Sequence, residues 1–240
     1  MTDDQQGGLA AVFAHPDDES FGCAGAMALA RDAGRPVRLL VVTRGEAGSA
    51  DGTPDEDLVL TREEELRGAA RAIGLDEVTM LEGYADGGVA ERPFEELVEE
   101  IGIWLEARRP QAVITFGSHG VTGHPDHIAV GNATRWAVEQ LSDGGIAPNA
   151  VYVIAPIFGP GRSRYDLSPE EAAATHRIDI SSVAERKLAA LRAHASQADT
   201  AEAIADLQAA ISDGGPIYEG YTRVRPIVPA PHPRFDERLL

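Results

Sequence analysis

The sequence predicts an α/β fold in which a mostly parallel sheet is flanked by helices, and three features of its 240 residues carry that expectation. Short, continuously apolar runs such as Leu9-Ala10-Ala11-Val12-Phe13 fit strands covered on both faces, where no polar alternation is needed. Helix-like stretches separate most of these runs, as parallel neighbours require, because a parallel pair cannot be closed by a tight turn. Two His-Pro-Asp clusters each come just after a strand, which puts polar chemistry at strand C-termini.

The elements follow in order. Leu9–Phe13 is the first strand and leads into His15-Pro16-Asp17-Asp18-Glu19, after which residues 21–33 read as a helix stopped by Gly34 and Pro36. Residues 37–43 form a second buried strand and close a βαβ unit. Residues 44–57, rich in Gly, Asp, Ser and Pro, read as a loop, and Thr61-Arg62-Glu63-Glu64 gives a capping-box start to a helix ending near Ile73. A strand at 78–81, a helix at 93–108 and a strong strand at 112–116 continue the alternation. The loop 117–123 then delivers His124-Pro125-Asp126-His127 to the start of a helix ending near Leu141, and 151–154 is a fifth strand. Residues 156–175 read as irregular with a short helix after Ser168-Pro169, followed by a sixth strand at 176–180 and helices at 183–195 and 199–211. No internal repeat or low-complexity linker interrupts the chain. A single domain over 1–240 is expected, with 217–240 a partly extended segment whose Pro-rich end is poorly ordered.

Composition narrows the function classes. Hydrophobic residues at 43% and charged residues at 25% match ordinary soluble globular domains. A formal charge of −18 opposes nucleic-acid phosphates and anionic membrane surfaces, so neither nucleic acid nor membrane is an expected partner. With no run of ~18 apolar residues and no basic, apolar leader, the expected location is cytoplasmic. The single Cys23 allows neither an intramolecular disulfide nor a thiolate cluster, so any metal must be held by His and carboxylate.

Ligands of open parallel sheets bind in the crevice beyond the strand C-termini, where the two clusters can meet. His15, one carboxylate of the Asp17-Asp18 pair, and one or both of His124 and His127 then supply three ligands to a divalent metal. Two His and a carboxylate, completed by water, form a common open site of hydrolytic zinc. The same triad serves iron oxygenases, a reading set aside because it needs oxidative chemistry and commonly sits on β-barrels. The unligated carboxylate of the pair is a suitable base for the water. His124 and His127, three apart at a helix start, share a face, so one can ligate while the other stabilises an oxyanion or protonates a leaving amine. Gly22-Cys23-Ala24-Gly25 looks like part of a dinucleotide fingerprint, but the preceding carboxylates would face a pyrophosphate, which disfavours nucleotide binding.

Ala14-His15-Pro16-Asp17-Asp18-Glu19 together with Gly123-His124-Pro125-Asp126-His127 resembles the LmbE-like, or PIG-L, deacetylase family. The resemblance implies a Rossmann-like three-layer sandwich and hydrolysis of N-acetylglucosamine-type substrates, including inositol conjugates, thiol-cofactor precursors and chito-oligosaccharides. It implies His15, Asp18 and His127 as ligands of Zn2+, with Fe2+ or another divalent metal as the alternative. Asp17 is then the general base, and His124 the electrophile or, as imidazolium, the general acid. Weaker family-like positions are Thr61-Arg62-Glu63-Glu64, where Arg62 either reaches substrate hydroxyl or anionic groups or makes an exposed helix-face ion pair, and Asp86 in Tyr84-Ala85-Asp86-Gly87, either a turn residue or a second substrate contact. Lys187 with His194-Ala195-Ser196-Gln197 also looks like a family signature, read here as structural support. Family members often form homo-oligomers, and the resemblance implies the same for this chain.

The function expected from the sequence is removal of an acetyl group from an N-acetylglucosamine-type sugar conjugate by metal-activated water. The alternatives are an amidase acting on a larger thiol conjugate and a metal- or sugar-binding protein without turnover. The aglycone should be chosen by the loops at 44–57 and 84–89.

Overall fold

The structure, a computed structural model, describes residues 7–48, 56–157, 165–226 and 234–235. In chain order they form β1 (Leu9–Phe13), α1 (Asp18–Gly22), α2 (Ala24–Asp32), β2 (Val37–Val41), α3 (Glu56–Ile73), β3 (Glu77–Met80), α4 (Phe94–Arg108) and β4 (Ala112–Thr115). Then follow α5 (Pro125–Asp143), β5 (Ala150–Ile154), α6 (Pro169–Ala172), β6 (His176–Asp179), α7 (Ala184–Ala193), α8 (Thr200–Asp213), β7 (Tyr218–Arg225) and β8 (Arg234–Phe235).

One sheet of eight strands runs through the described residues in the order β3-β2-β1-β4-β5-β7-β6-β8. The strands β3 to β5 are mutually parallel, as the βα alternation requires. Strands β1, β2, β4 and β5 are buried at every position, which explains why they read as continuous apolar runs. Helices α2, α3 and α7 pack together, with α8 against α7, while α4 packs on α5. The chain builds outward from β1 through β2 to β3, then returns to place β4 on the other side of β1. That reversal is a topological switch point, and it lies between the two strands that precede the His-Pro-Asp clusters.

Two expectations are corrected. The helix expected at 21–33 is two helices meeting at Cys23, whose φ of −151° leaves the helical range. Both sides of the break are closely packed: a Cβ on Gly22 would lie 2.4 Å from Ile154, and one on Gly25 would lie 2.6 Å from Ile180. Thr61 does not start a helix, because α3 is already formed at Glu56 and the Thr61 hydroxyl donates back to Asp57 O at 3.1 Å. Threonine satisfies the same hydroxyl inside a helix as at its start, so the four-residue signature misreads the boundary. Of the loop expected at 44–57, residues 49–55 lie outside the described residues.

The segment from 217, expected to be partly extended, is strand over most of its described length. It contributes β7, an interior strand antiparallel to both β5 and β6, and β8 adds an edge strand parallel to β6. The rest of the Pro-rich tail lies outside the described residues. Tyr-Glu-Gly-Tyr-Thr is an unusual interior strand, and its polar groups are buried because they serve a helix. Glu219 accepts from Gly25 N at 3.0 Å and Ala26 N at 2.8 Å, supplying the first turn of α2 with the cap its own sequence lacks. Lys187 Nζ and the Tyr221 hydroxyl donate to the same carboxylate at 2.6 and 2.7 Å. Lys187 thus joins α7 to the sheet, in line with its expected structural role.

Among the described residues, no helix is long and apolar enough to cross a membrane. Removing the Glu219 carboxylate strands two helix N–H groups and a largely buried ammonium, so Glu219→Ala should lower the unfolding free energy by about 3–5 kcal/mol. Urea denaturation checks this, and a loss below about 1 kcal/mol would show that water replaces the carboxylate.

Candidate active site

The first cluster is shaped by its own backbone. Asp18 Oδ2 accepts from Ala14 N at 3.2 Å and His15 N at 2.8 Å, folding the chain back as it leaves β1 and leaving Oδ1 to face His127. Asp17 precedes α1 with φ at 123°, a region that side-chain-bearing residues rarely occupy and that costs about 1–3 kcal/mol. Several contacts hold it there. Asp17 N donates to Glu19 Oε2 at 3.1 Å, and Arg62 Nη2 donates to both Pro16 O and Asp17 Oδ2, the latter at 3.0 Å. Glu19 is in turn fully buried against His194, Oε1 to Nε2 at 2.8 Å.

The second cluster sits on the loop after β4. Gly120 bends that loop with φ of 62°, and a Cβ there would lie 2.7 Å from His127 Cβ, so the closeness of loop and helix requires glycine. His124 is the N-cap of α5, its Nδ1 accepting from Asp126 N at 3.2 Å, with Pro125 at the favoured first helical position. The His127 ring stacks on Phe116, 4.1 Å between centroids and 5° between planes, and its Nδ1 lies 3.0 Å from Gly120 O.

Because β1 and β4 are neighbours, the two clusters meet. His15 Nδ1 lies 3.1 Å from His127 Nε2, which lies 3.3 Å from Asp18 Oδ1, while Asp18 Oδ2 lies 3.8 Å from His15 Nδ1. The 3.1 and 3.3 Å separations are those of ligands to one tetrahedral ion with bonds near 2.0–2.1 Å, which stand about 3.3 Å apart, and ring nitrogens of His15, His124 and His127 all lie within 4.8 Å of one another. The ring protons suit it too. Gly120 O can only accept, so Nδ1 of neutral His127 carries the proton and Nε2 the lone pair. On the other ring, His15 Nε2 lies 3.0 Å from Asp86 Oδ1 and 3.2 Å from Asp126 Oδ2, so Nε2 carries the proton and Nδ1 of the neutral ring presents its lone pair. Two imidazole lone pairs therefore face each other beside the Asp18 carboxylate, an arrangement that needs a cation. Without a metal ion a proton serves: burial alone would lower the His15 pKa, but hydrogen bonds to Asp126 and Asp86 and the Asp18 charge push it up to about 10. The donor set fits a metal.

All the residues expected at the site lie within this network. Within the protein, Asp86 faces His15 Nε2, and Arg62 bonds Asp17 and Gly45 O with its side chain only 3% exposed. His124 is pushed below the usual imidazole range, by burial first and then by the His15 and His127 charges. Its Nδ1 accepts the Asp126 N–H, so in this arrangement the ring proton sits on Nε2.

Two residues of the motifs were assigned no role by sequence. Fully buried Asp126 accepts from Gly87 N at 2.7 Å and Val89 N at 3.1 Å as well as facing His15, so it ties the 84–89 loop to the site. Glu19 holds Asp17 from behind. A charged residue inside a ligand motif was the available signal for both, but their partners lie far along the chain.

Fold and site together define the class, a Rossmann-like three-layer α/β protein with a histidine–carboxylate centre able to hold a metal at the switch point of its sheet. Residues 10–138 match the family described as GlcNAc-PI de-N-acetylase, PIG-L. A 1D-myo-inositol 2-acetamido-2-deoxy-alpha-D-glucopyranoside deacetylase of Mycobacteroides abscessus is 32% identical over 229 residues, spanning 79% of this chain and 81% of that one. A probable N-acetyl-alpha-D-glucosaminyl L-malate deacetylase 2 of Bacillus subtilis is 33% identical over 193 residues, 78% of this chain and 82% of that one. A conserved protein of Thermus thermophilus has the same fold, with a TM-score of 0.70 and 26% identity over 93% of this chain and 95% of that one. The chain belongs to the PIG-L family, and it is a deacetylase, a hydrolase acting on an amide C–N bond.

The Glu19–His194 pair gives stability a defined pH dependence. Burial alone would raise the Glu19 carboxyl, but the His194 charge and hydrogen bond, with Ser20 and the Asp17 amide, hold it below its ordinary 4.5. His194, which burial alone would lower, is raised above 6.5 by Glu19, with help from Asp17 and Glu65. The carboxylate's contribution is present above 4.5 and lost as pH falls through its lowered folded value; the imidazolium's is present below 6.5 and lost as pH rises through its raised one. The stability difference between wild type and Glu19→Gln should therefore be largest between 4.5 and 6.5 and shrink on both sides, as read from urea midpoints across pH.

Proposed function

We propose that this protein is a zinc-dependent deacetylase that removes the acetyl group from an N-acetylglucosamine-type sugar conjugate in the cytoplasm. The observation that carries this reading is the convergence of His15 Nδ1, His127 Nε2 and Asp18 with both ring tautomers fixed from behind. Two nitrogens and one oxygen suit a borderline ion such as zinc. His15, Asp18 and His127 would hold the metal, which would supply Lewis acidity and bring the pKa of water toward neutrality.

The chain's own residues do the rest. Asp17, next to the ligand Asp18, takes the water's proton; burial and the Asp18 charge raise its carboxyl well above the usual range, partly offset by Arg62, and a raised carboxyl is the stronger base. His124 donates Nε2–H to the oxygen that gains charge as the acetamide carbonyl is attacked. The proton held by Asp17 then passes to the departing sugar amine. Asp86 and Asp126 keep His15 oriented and basic. A binding protein without turnover has no use for a strained Asp17 or for a His124 with its tautomer fixed, which favours catalysis.

The relatives named above act on different aglycones, an inositol and a malate, which supports the glucosaminyl unit as the shared part of the substrate. Incubating metal-loaded protein with N-acetylglucosamine conjugates of inositol and of malate, and measuring acetate and primary amine, tests the activity directly. No acetate from any conjugate would reject it.

The ligand assignment predicts that His15→Ala, Asp18→Ala and His127→Ala each purify with little metal by elemental analysis; stoichiometric metal in all three would reject it. Because the metal must displace the proton that gives His15 a pKa of about 10, binding should release about one proton near neutral pH and weaken as pH falls. Calorimetry in buffers of different ionisation enthalpy reads that proton.

Asp17→Asn keeps shape and metal but removes the proton acceptor, and kcat should fall by about 10²-fold or more. His124→Ala should lower kcat by about 10²–10³-fold with metal content unchanged. Near-normal turnover in either metal-loaded variant would refute the role given to that residue.

A further inference from the structure

We infer that Glu171 is a positioning residue for the ligand His127, acting on its ring through the Gly120–Val121 peptide; this rests on His127 holding the metal. That peptide has both ends in use. Its N–H, belonging to Val121, donates to Glu171 Oε1 at 2.8 Å, and its carbonyl, belonging to Gly120, lies 3.0 Å from His127 Nδ1. The Thr122 hydroxyl stands farther from the same nitrogen, at 3.3 Å. Glu171 is fully buried, and its other oxygen, Oε2, accepts from Ser168 N at 2.8 Å. The backbone here is also strained. Thr122 N donates to Gly120 O at 2.6 Å and closes a three-residue turn on Val121, whose φ is 62°. A turn of that hand is rare, and a β-branched residue at its centre is an outlier. Such a conformation persists only where its surroundings hold it, and Glu171 holds the N–H of the strained residue itself.

The seat of the carboxylate is specific. A Cβ on Gly117 would lie 2.5 Å from Glu171 Cγ and 2.7 Å from its Oε1, and Gly117 is outside the positive-φ set, so the demand for glycine there is steric. Neighbouring contacts fasten the rest of the loop. Glu170 Oε1 accepts Ser118 N at 2.8 Å and Arg135 Nη1 at 2.6 Å, and His119 Nδ1 lies 2.9 Å from Asp166 O. Of these groups, Glu171 alone reaches the peptide that touches the ligand. A carboxylate accepting a peptide N–H draws the proton toward itself and leaves the carbonyl oxygen of that peptide richer in electrons; bonds in such a chain strengthen one another. Gly120 O then holds the Nδ1 proton of His127 more firmly, which fixes the ring's direction and makes Nε2 more basic. The four-residue α6, distant in sequence from both His-Pro-Asp clusters, thereby tunes the nitrogen that would meet the metal.

The test measures zinc affinity of the full chain by competition with a chromophoric chelator, together with urea midpoints and the His127 Nδ1–H proton resonance of the zinc-loaded protein. Glu171→Gln removes the charge, while Gly117→Ala keeps it and displaces the carboxylate, so the second variant reports even if the first fails to fold. Each should raise the zinc Kd by about 10-fold. Each should also move the Nδ1–H resonance upfield, as a weaker acceptor at Gly120 O requires. Two controls loosen the same region without touching that peptide: Glu170→Gln at Ser118 N, and Ser168→Ala at the hydroxyl that accepts Glu171 N. Both should lower the urea midpoint yet keep Kd within about 2-fold and the resonance in place. Losses of affinity as large in the controls would mean that loop stability sets metal binding, and would overturn the inference. So would a wild-type Kd in the folded Glu171 and Gly117 variants beside a weakened His127→Ala. A wild-type Kd in His127→Ala would remove the ligand assignment itself and the inference with it.

Discussion

The site is organised around one imidazole with acceptors on both sides. His15 has two carboxylates at Nε2 and an imidazole lone pair and a third carboxylate near Nδ1, all in a buried setting. Such a concentration of negative charge and lone pairs is stable only with a positive charge at its centre, either a proton or a metal ion. Much of what surrounds His15 follows from that condition. Asp126 can remain fully buried because two backbone amides of the 84–89 loop share its charge. Asp86 holds the 44–48 loop through Ala47 N, and Glu46 Oε1 accepts Asp86 N in return. Two loops and a helix N-terminus are thus fastened to one ring, so the pieces that would meet a substrate are registered to the metal centre.

Strain and support are divided between different parts of the fold. The unfavourable backbone at Asp17 is concentrated in one residue, while the groups that hold it come from α3 and from the end of α7. The Glu19–His194 pair reaches Asp17 from beneath and Arg62 reaches it from the side. The same economy recurs at α2, whose first turn is capped by Glu219 from β7 and not by a neighbour in sequence. These contacts connect the half of the sheet that carries the chemistry to the C-terminal half, which would otherwise be a covering layer.

Legibility in the sequence followed the range of the forces involved. Strands β1, β2, β4 and β5 were readable because burial on both faces leaves an uninterrupted apolar run. The start of α5 was readable because Pro125 and an N-cap are local signals. The break at Cys23 was not, and the glycines flanking it are packed against Ile154 and Ile180 from across the fold. The extended character of the segment from 217 was readable but its interior place in the sheet was not, because a Glu and two Tyr look like surface until their partners in α2 and α7 are known. Thr61 misled because its hydroxyl makes the same kind of bond inside a helix as at its start.

By itself the sequence determined the order of strands and helices, the two His-Pro-Asp clusters, and their position after β1 and β4, since periodicity and adjacency are properties of neighbouring residues. From these came the ligand candidates and the family resemblance. Only the tertiary structure decided that β1 and β4 lie side by side, which ring nitrogen of each histidine is free, and what Asp86, Asp126 and Arg62 touch. Those outcomes turn on hydrogen bonds between residues far apart in the chain, such as His15 with Asp126 and Asp17 with Arg62. A hydrogen bond depends on distance and direction to within a fraction of an ångström, and no pattern along a chain specifies that until the sheet has fixed where its strands end.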